Sequence, residues 1–133
     1  MANAIYPLYK QALLDASANV DLNDGTVKVA LIDTGTYTYS ASHDFYNDVS
    51  GVVGTPQEIT NTTVANGVFD GDNVTFSAVT GNTVEALLIY IDTGDAATSR
   101  LVAYIDTGVT GLPVTPNGGD ITISWNASGI FAL

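Results

Sequence analysis

Short apolar runs punctuated by glycine, asparagine and aspartate fill most of this chain. Val27 to Ile32, Val74 to Val79, Val84 to Ile91, Leu101 to Ile105 and Ile121 to Trp125 are rich in β-branched or aromatic residues and have the lengths of strands. In the last run the alternation is clean, with Ile121 and Ile123 on one face and Thr122 and Ser124 on the other. Turn signals separate the runs, among them Asn66-Gly67, Asp70-Gly71-Asp72-Asn73, Gly81-Asn82 and Pro116-Asn117-Gly118-Gly119. The start of the chain has a different period. From Pro7, a favoured first-turn residue, Leu8, Tyr9, Ala12, Leu13 and Ala16 recur at spacings of three and four. This predicts one short helix ending near Ser17, then a polar loop from Asn19 to Gly25.

No helix–strand alternation follows, which argues against a parallel α/β fold. Roughly six to eight short strands with regular turn signals predict a mainly β fold, an antiparallel β-sandwich or small barrel with one short N-terminal α-helix. A chain of 133 residues makes a single β domain, with residues 1–17 as N-terminal arm and helix and 26–133 as β core. The stretch from Thr36 to Ser50 is the least strand-like. It interleaves Tyr37, Tyr39, Phe45 and Tyr46 with His43, Asp44 and Asp48, the composition of a long connection that packs on a surface, its own core in preference to a neighbour's.

Charge narrows the range of partners. Fourteen carboxylates stand against Lys10, Lys28 and Arg100, a formal charge of −11. Three scattered cations cannot form the patch that binds a phosphate backbone or an anionic bilayer, so neither nucleic acid nor membrane is an expected partner. The sequence has no unbroken apolar stretch of the ~20 residues needed to span a bilayer, and its opening residues lack the features of a secretory signal. There is no cysteine, so stability must come from packing, hydrogen bonding or assembly.

The most suggestive chemistry is a repeated triplet, Asp-Thr-Gly, which begins at Asp33, Asp92 and Asp106, each time behind an apolar run. Aspartic proteases use such a turn to present a carboxylate, and two turns must face each other so that a proton is shared. Asp92 and Asp106 are only 14 residues apart, a spacing that suits a hairpin in which both end their strands, at opposite edges of the sheet. The plainer expectation is a turn device, in which Asp caps backbone N–H groups and Gly supplies positive φ. A dimeric protease built around Asp33 is the least favoured alternative. Ser42-His43-Asp44 places triad residue types side by side, but triads assemble from distant positions, so Ser42 is expected to cap a short helical turn running to Asp48. Asp70-Gly71-Asp72-Asn73 offers oxygen ligands suited to calcium without the spacing of an EF-hand, and reads as a hairpin turn. Trp125 shares a strand face with Ile121 and Ile123 and is expected in the core in preference to a sugar-stacking platform. No glycine pattern forms a phosphate cradle. No catalytic residue, metal ligand or cofactor is predicted.

The segments Thr75 to Gly94, Ser99 to Thr107 and Gly111 to Trp125, with Met1 to Tyr6, the N-terminal helix and Lys28 to Thr34, resemble a family of small virion structural proteins of tailed bacteriophages. The resemblance covers nearly the whole chain. It implies a capsid decoration, or cement, protein on the capsid exterior, made in the host cytoplasm, that bridges subunits of the major capsid protein and assembles as a homo-oligomer, with a trimer the first expectation. A phage tail or neck component, and a carbohydrate- or receptor-binding module using exposed tyrosines, are the alternatives. On this view the candidate interface residues are Ile5, Tyr6, Leu8 and Tyr9 in the N-terminal segment, with Tyr37 and Tyr39 in the long connection. The N-terminal segment is either an arm docked on the shell or a sister subunit, or a helix covering the open end of the β core.

Overall fold

A computed structural model describes residues 3–23 and 25–133. Residues 1 and 2 of the expected arm, and residue 24 of the expected loop, lie outside the described residues. Among the described residues the chain forms ten strands, one α-helix and one turn of 3-10 helix. All strand pairings are antiparallel, and the fold is mainly β and β-sandwich-like.

The centre is a five-stranded sheet. Strand β1 (Ala4–Ile5) is followed at once by α1 (Pro7–Leu14), and then by β2 (Thr26–Ile32), β3 (Val52–Glu58), β7 (Ala86–Asp92) and β8 (Arg100–Ile105), in the spatial order β1-β8-β7-β2-β3. Two smaller sheets complete the fold. β4 (Thr63–Ala65), β5 (Val68–Asp70) and β10 (Phe131–Ala132) form one in the order β10-β5-β4, and β6 (Val74–Phe76) pairs with β9 (Ile121–Ile123) in the other. The sheets keep open edges, so the sandwich describes the fold and the closed barrel does not.

The predicted strands are present, some of them shortened, and the helix starts at Pro7 as expected but ends at Leu14. β3 was not expected, because Gly54 and Pro56 interrupt it. It tolerates them as an edge strand with a bulge, in which register with β2 passes from Val29↔Gln57 to Leu31↔Val53. The Asn66-Gly67 turn joins β4 to β5 with positive φ at both residues, 53° and 78°, as a two-residue hairpin needs. Asp70-Gly71-Asp72-Asn73 does not close a hairpin. It carries the chain from β5 to β6, strands of different sheets.

Both faces of the central sheet are buried, by different means. Pairing Lys28↔Tyr90, Ala30↔Leu88 and Leu88↔Tyr104 puts those residues on one face, while Val29↔Ile89 and Leu31↔Leu87↔Ile105 define the other. The second face is aliphatic, and it merges into one core with Phe69, Phe76 and Ile123 of the small sheets. The first carries tyrosine and lies beneath the 36–50 connection, which packs on its own core as its composition suggested.

Candidate functional site

Each of the three Asp-Thr-Gly turns ends a strand of the central sheet, and each is closed by hydrogen bonds. The Asp33 carboxylate accepts from the Gly35 N–H at 2.9 Å, the Thr36 hydroxyl at 3.0 Å and the Asn82 amide at 3.0 Å. The Gly35 N–H, then Thr36 and Asn82, hold its pKa below the usual carboxylate value. Thr34 donates its N–H and hydroxyl to Glu85, which fastens the turn to the start of β7. At Asp92 the carboxylate pairs with Lys28 at 2.8 Å and accepts from the Gly94 N–H at 3.0 Å, and Lys28 foremost lowers its pKa. The third turn is capped from outside: the Asn3 side-chain oxygen accepts from the N–H groups of Asp106 and Thr107 and from the Thr107 hydroxyl. Gly94 and Gly108 have the positive φ expected of the device, but Gly35 does not.

Strand register separates the three carboxylates. Asp92 lies opposite Thr26 at one end of the sheet, whereas Asp33 and Asp106 follow Ile32 and Ile105 at the other. Those two strands flank β7, so the backbones of Asp33 and Asp106 are about 10 Å apart at ordinary strand spacing. A shared-proton dyad requires carboxylates about 3 Å apart, with one pKa raised.

His43 is committed elsewhere as well. Its Nδ1 is 2.8 Å from the Tyr37 hydroxyl, which is 2.7 Å from the hydroxyl of Tyr6. Ser42 does not cap the helical turn that was expected to run to Asp48. The 3-10 turn spans Tyr46–Asp48, Ser40 Oγ accepts from the Ser42 N–H, and the Asp48 carboxylate accepts from the Asp44 N–H. A carboxylate four residues ahead and a serine two residues back compete successfully for these donors. Near the proposed oxygen-ligand turn, Asp72 accepts from Thr60 and Asn61, and its carbonyl receives the Trp125 indole N–H at 2.8 Å. Among the described residues no group of three or more His, Asp or Glu side chains is arranged to hold a metal ion. Trp125 lies just past β9, partly buried against the core.

The aromatic residues proposed for an interface divide into two sets. Tyr6, Tyr9 and Tyr37 are buried in the chain's own core, so their rings present no surface to a partner. Tyr6 packs on Tyr39, and Tyr39 on Tyr104, at ring separations of 5.0 and 5.5 Å, while Tyr46 stacks on Tyr90 at 4.2 Å. Ile5, Leu8 and Tyr39 are partly exposed, which leaves these three of the six proposed residues with side-chain surface to offer. The reason is local: Ala4–Ile5 pairs with β8, and the Tyr6 N–H donates to the Val102 carbonyl, so the N-terminal segment docks on its own sheet. Burial raises the pKa of Tyr6, with Tyr37 reinforcing it, and pushes the Tyr9 hydroxyl up to about 12.

One feature that sequence reasoning missed is an open apolar groove of about 520 Å³ where α1, β1 and β10 meet. Leu14 and Leu133 on its border are 89% and 64% exposed. A leucine pair at the end of a helix whose inner face is Tyr9 and Ala12 was the available signal. No family model and no curated protein matches the chain.

Proposed function

We propose that this chain is a non-enzymatic structural protein of a tailed-phage virion, a decoration protein that binds the outer face of the capsid and bridges major capsid subunits. The observation that carries this is the engagement of the Asp-Thr-Gly carboxylates at Asp33 and Asp92, which accept hydrogen bonds from their own turns and sit on different strand ends. Residues that resemble catalytic machinery are thereby accounted for as backbone supports. What remains is a compact, acidic, cysteine-free β domain whose partly exposed apolar side chains can serve adhesion. Bridging adds contact free energy between neighbouring shell subunits and so slows their separation. The resemblance implies a trimer of this chain on the shell.

The test is co-sedimentation of the purified chain with undecorated capsids of the phage that carries the gene. Saturable binding at a fixed ratio to the major capsid protein, with a raised shell melting temperature, is expected. A chain that stays in the supernatant while it binds tail assemblies or glycans would replace this role with one of its alternatives.

A further inference from the structure

Two Asn-Gly pairs lie in exposed turns of this chain, Asn66-Gly67 between β4 and β5 and Asn117-Gly118 shortly before β9. Asparagine followed by glycine can modify itself, because glycine lacks the Cβ that would keep its amide nitrogen away from the preceding side chain. The fold treats the two pairs differently. At the second, the Gly118 N–H donates to the Val79 carbonyl at 2.8 Å, and the Asn117 side-chain oxygen accepts from the Gly119 N–H at 3.0 Å. Both reacting groups are held there. At the first, neither the Asn66 side chain nor the Gly67 N–H makes a hydrogen bond among the described residues. That turn is anchored one peptide further on, where the Gly67 carbonyl accepts from the Leu133 N–H at 3.0 Å.

Turn geometry supplies the motion that the chemistry needs. The φ values of 53° and 78° at Asn66 and Gly67, with Ala65 paired to Val68, are those of a type I′ hairpin turn. Rotating the single peptide between the two residues gives type II′, the other turn that fits a two-residue hairpin, in which ψ of the first residue is about −120°. At that ψ the following nitrogen eclipses Cβ and comes within reach of the side-chain Cγ. Strand pairing and the Leu133 contact stay in place, since neither belongs to the peptide that turns.

We propose that Asn66 is a self-modification site, at which the Gly67 nitrogen attacks the Asn66 side chain and the side-chain amide is lost as ammonia. The Gly67 N–H gives its proton to solvent base, and the nitrogen bonds to Asn66 Cγ. The Cγ–Nδ2 bond breaks, and Nδ2 takes a proton from water and leaves as ammonia. A five-membered succinimide results. Water then opens the ring, either at Cγ to give aspartate or at the backbone carbonyl to give isoaspartate, whose main chain runs through Cβ and Cγ. Water is the only co-reactant, and nothing is oxidised or reduced. Each conversion adds one carboxylate to a chain of charge −11. The isoaspartate product also lengthens a two-residue turn by one backbone carbon, which works against the Ala65↔Val68 register and the Leu133 contact.

Peptide mapping of the full chain by mass spectrometry, with isoaspartate resolved from aspartate, reads this out directly. Folded chain is held in mildly alkaline buffer and sampled over days, beside chain unfolded in guanidinium. Unfolding removes the difference in hydrogen bonding and so calibrates the two sequence contexts. The rate at Asn66 relative to Asn117 is expected to be at least about tenfold higher in the folded chain than in guanidinium, because two hydrogen bonds must open first at Asn117. Isoaspartate should be among the Asn66 products, as ring opening requires. An Asn66 that stays unmodified in the folded chain would overturn the proposal. So would a rate ratio unchanged from that in guanidinium, which would mean that both sites react only through global unfolding, or an Asn66 product free of isoaspartate. Capsid binding has no part in this measurement, so it and the co-sedimentation test fail separately.

Discussion

The two faces of the central sheet are covered by different materials, and they should fail differently. On the face of Val29, Leu31, Leu87 and Ile89 the side chains are aliphatic and belong to one buried core with Phe69, Phe76 and Ile123 from the short strands, and cohesion there is non-directional packing. On the face of Leu88, Tyr90 and Tyr104, the cover is an irregular connection with little regular backbone pairing of its own. It is held by rings and hydroxyls: Tyr37 between Tyr6 and His43, Tyr39 between Tyr6 and Tyr104, and Tyr46 on Tyr90. A few ladder bonds and a cation add to this, since the N–H groups of Tyr46 and Leu101 bond across the β8 start and Arg100 lies 4.9 Å over the Phe45 ring. A loop can therefore cover a sheet when its side chains carry their own polar partners into the interface.

The largest expected effect is on the aliphatic face. Ile89→Ala leaves a cavity between layers that cannot close, and should cost about 2–5 kcal/mol in urea unfolding, with little change in pH dependence. Tyr37→Phe on the other face deletes one oxygen but strands the buried Tyr6 hydroxyl, and should cost about 1–3 kcal/mol. A loss below a few tenths of a kcal/mol would show that water replaces the missing partner.

Alkali separates the faces further. Buried tyrosines have folded-state pKa values above the value of 10.0 that applies when they are exposed. Their neutral form is thus favoured by folding, the full stability is present below pH 10, and it is lost as pH rises because the unfolded chain releases its protons first. For Tyr9 the window runs from pH 10 to about 12, with a slope approaching about 1.4 kcal/mol per pH unit. Urea titrations at successive alkaline pH values should show this decline, and Tyr9→Phe should flatten part of it. The smallest effect is in the exposed β4–β5 hairpin, where Gly67→Ala forces a side chain into positive φ and should cost about 1 kcal/mol.

The strands with unbroken apolar runs were legible in the sequence, because β-branched and aromatic density alone identifies Val27 to Ile32, Val84 to Ile91 and Leu101 to Ile105, within two residues of the observed Thr26–Ile32, Ala86–Asp92 and Arg100–Ile105. β3 was hidden because Gly54 and Pro56 are strand breakers unless an edge and a bulge accommodate them, and neither shows in one strand's own residues. The Asp70 to Asn73 stretch looked like a hairpin because a change of sheet leaves the same local turn chemistry as a reversal. For the tyrosines, the sequence shows that the 36–50 connection must bury aromatic surface. It does not show against which surface, because that depends on where a long loop returns. Hence Tyr6, Tyr9 and Tyr37 could be proposed for an interface although their rings are enclosed in the core.

The central physical claim is that the acidic triplets support the backbone, and the carboxyl titration of Asp33 followed by carbon-detected NMR tests it most directly. We expect a single-step curve with its midpoint below 3.8, from the Gly35, Thr36 and Asn82 donors, and no coupling to Asp92 or Asp106. Two steps shared with another aspartate, one of them displaced upward, would mean that the carboxylates meet over a common proton and would contradict the account.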